Sequence, residues 1–507
     1  MSAARSTRTF DAVVVGGDAD ALVAATRLAG NGAKVLLLNE PDALGGALRE
    51  IEFAPGYRAT PFAPATAATL MALGDDEAIA LDLGGGHSDS LERRSATDAA
   101  NWPGFARRMK ALAGFLGELY RAPPPRIDAG TFGEFLALAN LGRKFRKLGR
   151  AGMAELLRTL PISIADLLDD EFETPALKGA LSAYAVMDLA QGPTAAGTAF
   201  TFLHRLVALH AATERDVPVR TYEQRALEAG VMIERSRKIG SIAVLDGSVT
   251  GVTLDAGEEI ACSTVVSSLD PKRSLLELVD PRHHDPEFIH AVRNIRYRGV
   301  TTKILVALAA LPTTPLPRDM GKAFAGSFLI AATIRDVERA YEATKYGRCS
   351  QEPFIELRFP SVAQPDLAPA GRHVAVLHVQ YTPYRLRDGN WGELRDSLAD
   401  HAIASVDRHL PGFASLVLDR LVLAPPDLES RFGLREGAVS QGEMALDQIL
   451  FMRPVPTASR YATPIEGYFL CGAGTHPGAG LHGVSGELSA QAALEARRRR
   501  KAARVGT

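Results

Sequence analysis

Residues 11–22 read DAVVVGGDADAL, a pattern that could bind an anion but has one residue out of place. An apolar strand, Val13-Val14-Val15, runs into a turn holding Gly16 and Gly17 and then into an alanine-rich helix. Glycines at such a junction let backbone approach a pyrophosphate, whose charge the helix N-terminus stabilises. Gly16 can make the tight turn, and Ala21 is small enough for the close helix–strand contact its position requires. Asp18, however, stands where the second glycine should bring backbone against phosphate. Two unit charges ~4 Å apart repel by ~1 kcal/mol in water and ~4 kcal/mol at an effective dielectric near 20. That loss is several-fold to about a thousandfold in affinity. An acidic residue at a helix N-terminus also caps its open amides, so Asp18 or Asp20 can fill the anion site itself. The loop alone supports a self-capped βαβ unit and a working phosphate cradle equally.

A second glycine-rich stretch, GYFLCGAGTHPGAGLHGVSGELSAQAALEA, reads as a strand, a loop and a final helix near the end of the chain. His476 and His482 lie in that loop, and lone loop histidines serve more often as hydrogen-bonding scaffold than as catalysts. No metal-ligand set stands out. Cys262, Cys349 and Cys471 are odd in number and dispersed, which suits a reducing, cytoplasmic compartment better than a disulfide framework. A net charge of −2 gives no electrostatic case for nucleic acid. The opening MSAARSTRTF has no apolar h-region and reads as a short disordered tail.

These residues need elements to hold them. Residues 11–40 form a β-α-β unit whose strands, near 12–15 and 33–39, are continuous apolar runs, as in a parallel sheet covered on both faces. Residues 76–215 are mainly helical. Strands return at 231–234, at 241–254 with a hairpin signal at Asp246-Gly247, and at 263–269, 302–308, 354–360 and 373–382. At 507 residues, the chain is expected to form one nucleotide domain assembled from distant segments and a second domain between them. The stretch NLGRKFRKLGRAG (140–152) is basic and amphipathic, with Leu141, Phe145 and Leu148 on one side. It reads as a core helix with a solvated basic face, and secondarily as a peripheral membrane contact.

Several long stretches, among them DALGGALREIEFAPGYRA (42–59), STVVSSLDPKRSLLELVD (263–280) and LDQILFMRPVPTASRYATPIEGYFLCGAGTHPGAG (446–480), carry a family resemblance that runs nearly end to end. The chain resembles the phytoene desaturase-like branch of the FAD-dependent amine oxidase superfamily, closest to the pyridine nucleotide-disulfide oxidoreductase domain-containing protein 2 group. The resemblance implies an α/β fold: a Rossmann-like, glutathione-reductase-type FAD domain with an interleaved α+β substrate domain. FAD segments would be 9–75, 216–295 and 431–497. The substrate domain would take 76–215 (helical) and 296–430 (sheet), and 498–507 would be a basic tail. The implied activity is hydride transfer from an apolar C–C or C–N substrate to flavin, in a mainly apolar tunnel under the second domain's sheet.

The resemblance also implies the site. Gly16, Gly17, Asp18 and Ala21 would lie at the pyrophosphate. Asn39 or Glu40 would meet the adenosine ribose, in place of the family's acidic residue and without its following basic pair. Gly45 and Gly46 would bring backbone near flavin or pyrophosphate, and Ile239 is assigned to the cofactor side as well. Gly472, Ala473, Gly474, His476, Gly480 and Gly483 would face the flavin and its ribityl phosphate. A glycine-rich segment of the family is missing from 210–234. The departures at Asp18 and Asn39 put FAD occupancy in question, and the alternative is a flavin-free scaffold, regulator or non-catalytic partner. The remaining expectations are a small apolar ligand and either a homodimer or a heteromer with an active paralogue.

Overall fold

The computed structural model describes residues 8–63, 67–74, 78–125, 132–215, 218–312 and 324–505. The expected N-terminal tail, residues 1–7, lies outside them. A five-stranded parallel sheet is built from three distant parts of the chain. Its members in chain order are β1 (Ala12–Val15), β2 (Val35–Leu38), β3 (Met232–Glu234), β4 (Val265–Ser267) and a last strand, Tyr468–Leu470. β1 and β2 are fully buried, as continuous Val/Leu runs between two covered faces should be. Helix α1 (Ala19–Ala29) packs on this sheet through Ala21, Leu22, Ala24, Ala25 and Leu28, together with the last helix, Val484–Val505. The hairpin Ile239–Leu245/Ser248–Leu254 turns at Asp246 (φ 47°) and Gly247 (φ 73°), as its sequence predicts.

The second unit is a seven-stranded mixed sheet. Its central members are β5 (Thr301–Leu308), β6 (Ser327–Ile330), β7 (Phe354–Arg358) and β8 (His373–Gln380). Thr69–Leu73 joins it in parallel with β6, and Ala78–Asp82 follows as its edge strand. The first cofactor-domain segment therefore ends before 75, and the mainly helical stretch expected from 76 begins with a strand. The apolar run at 69–73 is buried by pairing with β6, a partner more than 250 residues away that local pattern cannot reveal. Helices Ala96–Tyr120, Pro175–Val186 and Thr198–Arg215 form the helical part, packed in one core with the inner residues of this sheet.

The final helix continues to Val505, so the expected basic tail is helical as far as it is described. Arg497 pairs with Asp11 at 3.2 Å, and Arg500 donates to the Ser263 carbonyl at 2.9 Å, which ties the basic run to the sheet. In the 140–152 stretch, Phe145 packs its ring on Phe115 and Lys144 pairs with Glu118, so the apolar side faces the protein core. No described helix is long and apolar enough to cross a membrane.

Candidate functional site

A cavity of about 640 Å³ opens at the carboxyl ends of β1, β2 and β4, where ligands collect in open α/β sheets. It brings together Gly16, Gly17, Asp18, Asn39, Glu40, Gly45, Gly46, Ile239, Ala473 and Gly480. Ala21, Gly472, Gly474, His476 and Gly483 stand behind its walls, forming no part of the lining. Gly16 (φ 112°) must lack a side chain, because a Cβ there would lie 2.1 Å from the Ser268 hydroxyl oxygen.

Asp18 is the N-cap of α1. Its Oδ1 accepts the Ala21 N–H at 2.9 Å, and the Asp20 amide and Ser268 hydroxyl lie close enough to favour the charged carboxylate. The carboxylate thus sits on the amides that a phosphate would use. Burial pushes its pKa up against the pull of those bonds. Asp20 is turned elsewhere: its Oδ1 accepts the Gly486 N–H at 3.0 Å in the first turn of the last helix. Burial, and then the neighbouring Asp18 charge, push Asp20 up to about 7. Two helix N-termini are therefore closed by two carboxylates two residues apart in the chain.

The residues expected at an adenosine ribose are likewise engaged by the protein itself. Asn39 donates to the carbonyls of Pro41 (2.7 Å) and Ala43 (3.0 Å), fixing its own loop, and Glu40 pairs with Arg273. In the C-terminal loop, Gly474 N–H donates to Gln441 Oε1 at 2.9 Å, and a Cβ on Gly474 would lie 2.5 Å from Pro271. These glycines serve close packing of the loop, while Ala473 and Gly478 to His482 form its cavity face. Buried Arg453 anchors that loop, donating to the carbonyls of Ala473, Glu443 and Gln448. His476 is buried beside Tyr120 and held neutral, its pKa pushed down to about 4 by burial.

Above the cavity lies the helix Thr198–Arg215. Its His204 donates from Nε2 to the Ala479 carbonyl (2.8 Å) and so accepts the Tyr120 hydroxyl proton at Nδ1 (2.8 Å). Thr201, His204, Arg205 and Ala208 roof the cavity.

The opposite wall was missed from sequence. Lys303, His378 and Glu356 are register partners across β5, β8 and β7, so their side chains share one face in a single row. Asp188, at the end of the helix Pro175–Val186, bonds Thr301 (3.2 Å), pairs with Arg205 (3.3 Å) and lies 3.7 Å from His378. Burial opposes the Asp188 charge, yet His378, Lys303 and Arg205 together hold its pKa near 2. Burial lowers Lys303 to about 8 and His378 to about 4, so His378 is neutral. The wall expected to be mainly apolar is mixed, with Tyr184, Met187 and Leu189 beside Lys303, Glu356 and Arg358. The available signal was charge within apolar strands, Lys303 in TTKILVAL and Glu356 with Arg358 in FIELR.

Pyridine nucleotide-disulfide oxidoreductase domain-containing protein 2 of Mus musculus is 30% identical to this chain over 542 residues, covering 95% of this chain and 92% of its own length. Phytoene desaturase (lycopene-forming) of Paracoccus sp. is 25% identical over 256 residues, about half of each chain (50% and 48%). Among solved structures, a putrescine oxidase matches with a TM-score of 0.56 at 12% identity, over 97% of this chain and 100% of its own, a likeness of fold. No protein-family model matches the chain.

Proposed function

Because the chain belongs to the pyridine nucleotide-disulfide oxidoreductase domain-containing protein 2 family, within the FAD-dependent amine oxidase superfamily, we propose that it is an FAD-dependent oxidoreductase. In this reading a small molecule is oxidised in the cavity between the two sheets. The observation that carries it is the continuity of that cavity, from the ends of β1, β2 and β4 to buried Lys303 on the facing sheet.

The residues present fit a dinucleotide in position and cavity size, on one condition. Asp18 must be neutral, since a protonated carboxyl no longer repels phosphate and can donate to it. Burial moves Asp18 in that direction. Gly16, Gly17, Gly45 and Gly46 would then border the pyrophosphate, and Ala473 and Gly480 the flavin. FAD supplies the hydride acceptor when bound, which explains why no acid–base motif is needed in the chain. The chain's own groups orient and shield: the Tyr184 hydroxyl stays protonated, its pKa pushed up to about 12 by burial. Lys303, lowered to about 8, can hold or release a proton near neutral pH.

A flavin-free family member is the second reading, favoured by Asp18 on the α1 amides and Asn39 turned into its own loop. The visible spectrum of the purified protein separates them. Flavin bands near one per chain support the oxidoreductase. A colourless protein that takes up no FAD, even at acid pH, rules it out.

A further inference from the structure

We propose that the substrate is an apolar-chain carboxylate, its head bound by Lys303 and Arg358 where the cavity between the sheets meets a second cavity. The inference rests on reading the first cavity as the substrate site and adds the ligand's chemical class.

Lys303 is 2% exposed, yet among the described residues its ammonium makes no hydrogen bond or ion pair. Its one close partner is the Phe62 ring, 4.8 Å away. Arg358 donates to the Ala63 carbonyl, while its buried Nε, 3.4 Å from Glu356 Oε2, makes no hydrogen bond. Among the described residues, Lys303, Arg358 and Arg205 face two carboxylates, Asp188 and Glu356, and Ser327 already donates to Glu356 Oε1 at 2.7 Å. Three cations thus stand against two carboxylates, an excess of buried positive charge that is costly unless a ligand balances it, and all five of these charged groups line the cavity.

The second cavity, about 430 Å³, shares Ala63, Arg358 and Leu481 with the first. Beyond Arg358 its walls include Phe324, Phe359, Leu367 and Val376, with Arg58 and Asp366 also in the lining. A head group at the junction would therefore have an apolar stretch of wall beside it within a cavity of mixed lining, which suits an acid with a hydrocarbon chain.

The test is calorimetric titration of the full-length protein as purified with decanoate, decanol and decylamine at pH 7. Decanoate should bind at least tenfold tighter than the other two, the scale of a charge-assisted hydrogen bond. Lys303→Met should abolish that preference, Arg358→Gln should reduce it, and Lys303→Arg should keep it. Equal binding of decanoate and decanol by wild type, or a preference that survives Lys303→Met in a folded variant, overturns the proposal. The wild-type comparison stands even where a variant fails to fold. A separate spectrum divides the two ideas. Colourless protein that still selects decanoate through Lys303 keeps the subsite and removes the FAD reading, whereas yellow protein without selectivity does the reverse.

Discussion

On the parallel-sheet side of the cavity, Asp18 and Asp20 are held by the amides of two helix N-termini, whereas on the facing sheet Lys303 lies buried with no hydrogen-bond acceptor among the described residues. Both walls carry ionisable groups out of bulk water. On the first wall the chain answers its own charges, and on the second it leaves one unanswered. Self-capping stabilises a helix end but closes it to a ligand. An unpaired buried cation weakens the fold and marks a place where something else can bind.

The sharpest way to break this contrast is to open the closed wall. Asp18→Gly should tighten FAD binding at pH 8 by several-fold to about a thousandfold, the range set by ~1–4 kcal/mol of repulsion. The gain should shrink as pH falls, because burial already favours the neutral Asp18 carboxyl. Flavin-fluorescence titration reads both, and an unchanged affinity would move the obstacle to Asn39 or to the helix over the cavity.

Asp20→Asn should stabilise the protein at pH 8. The side-chain pKa rises from 3.8 to about 7 on folding, so the folded chain holds more protons between those values and loses stability as pH rises through them. That rise corresponds to at most about 4 kcal/mol. Asparagine still accepts from Gly486, so the variant's melting temperature should exceed wild type at pH 8 and converge with it near pH 4.

Lys303→Met should also stabilise, by up to about 3 kcal/mol near neutral pH, because the lysine falls from 10.5 to about 8 on folding. The sign is opposite in pH: the folded wild type holds fewer protons between 8 and 10.5, so its stability rises through that window. Denaturant melts from pH 7 to 10.5 should show that rise in wild type and a flat response in the variant. Destabilisation by Lys303→Met would show that the ammonium is satisfied after all.

The smallest effect concerns the roof. Tyr120→Phe removes the hydroxyl that donates to His204, and should cost ~1–2 kcal/mol with little change in FAD affinity.

The two walls were unequally legible from sequence. Asp18 could be read as a carboxylate on helix amides because capping acts within one turn, and the structure places it there. Its neighbour Asp20 could not be placed the same way, because the amide it accepts from belongs to Gly486, 466 residues later in the chain. The row Lys303–His378–Glu356 was invisible for a related reason. Each strand shows an isolated polar residue or two in an apolar run, and only register across three strands turns them into a cluster.

By itself the sequence determined what short-range chemistry controls: the βαβ unit at 11–40, the Asp246-Gly247 hairpin, the glycine turns and the family resemblance. Local sterics, side-chain period and capping set these before any distant contact forms. Only the tertiary structure decided which charges are neutralised and which are left open to the cavity. That depends on burial and on partners brought together by long-range strand pairing, where desolvation turns an ordinary lysine or aspartate into a group that must find an opposite charge or give up its own.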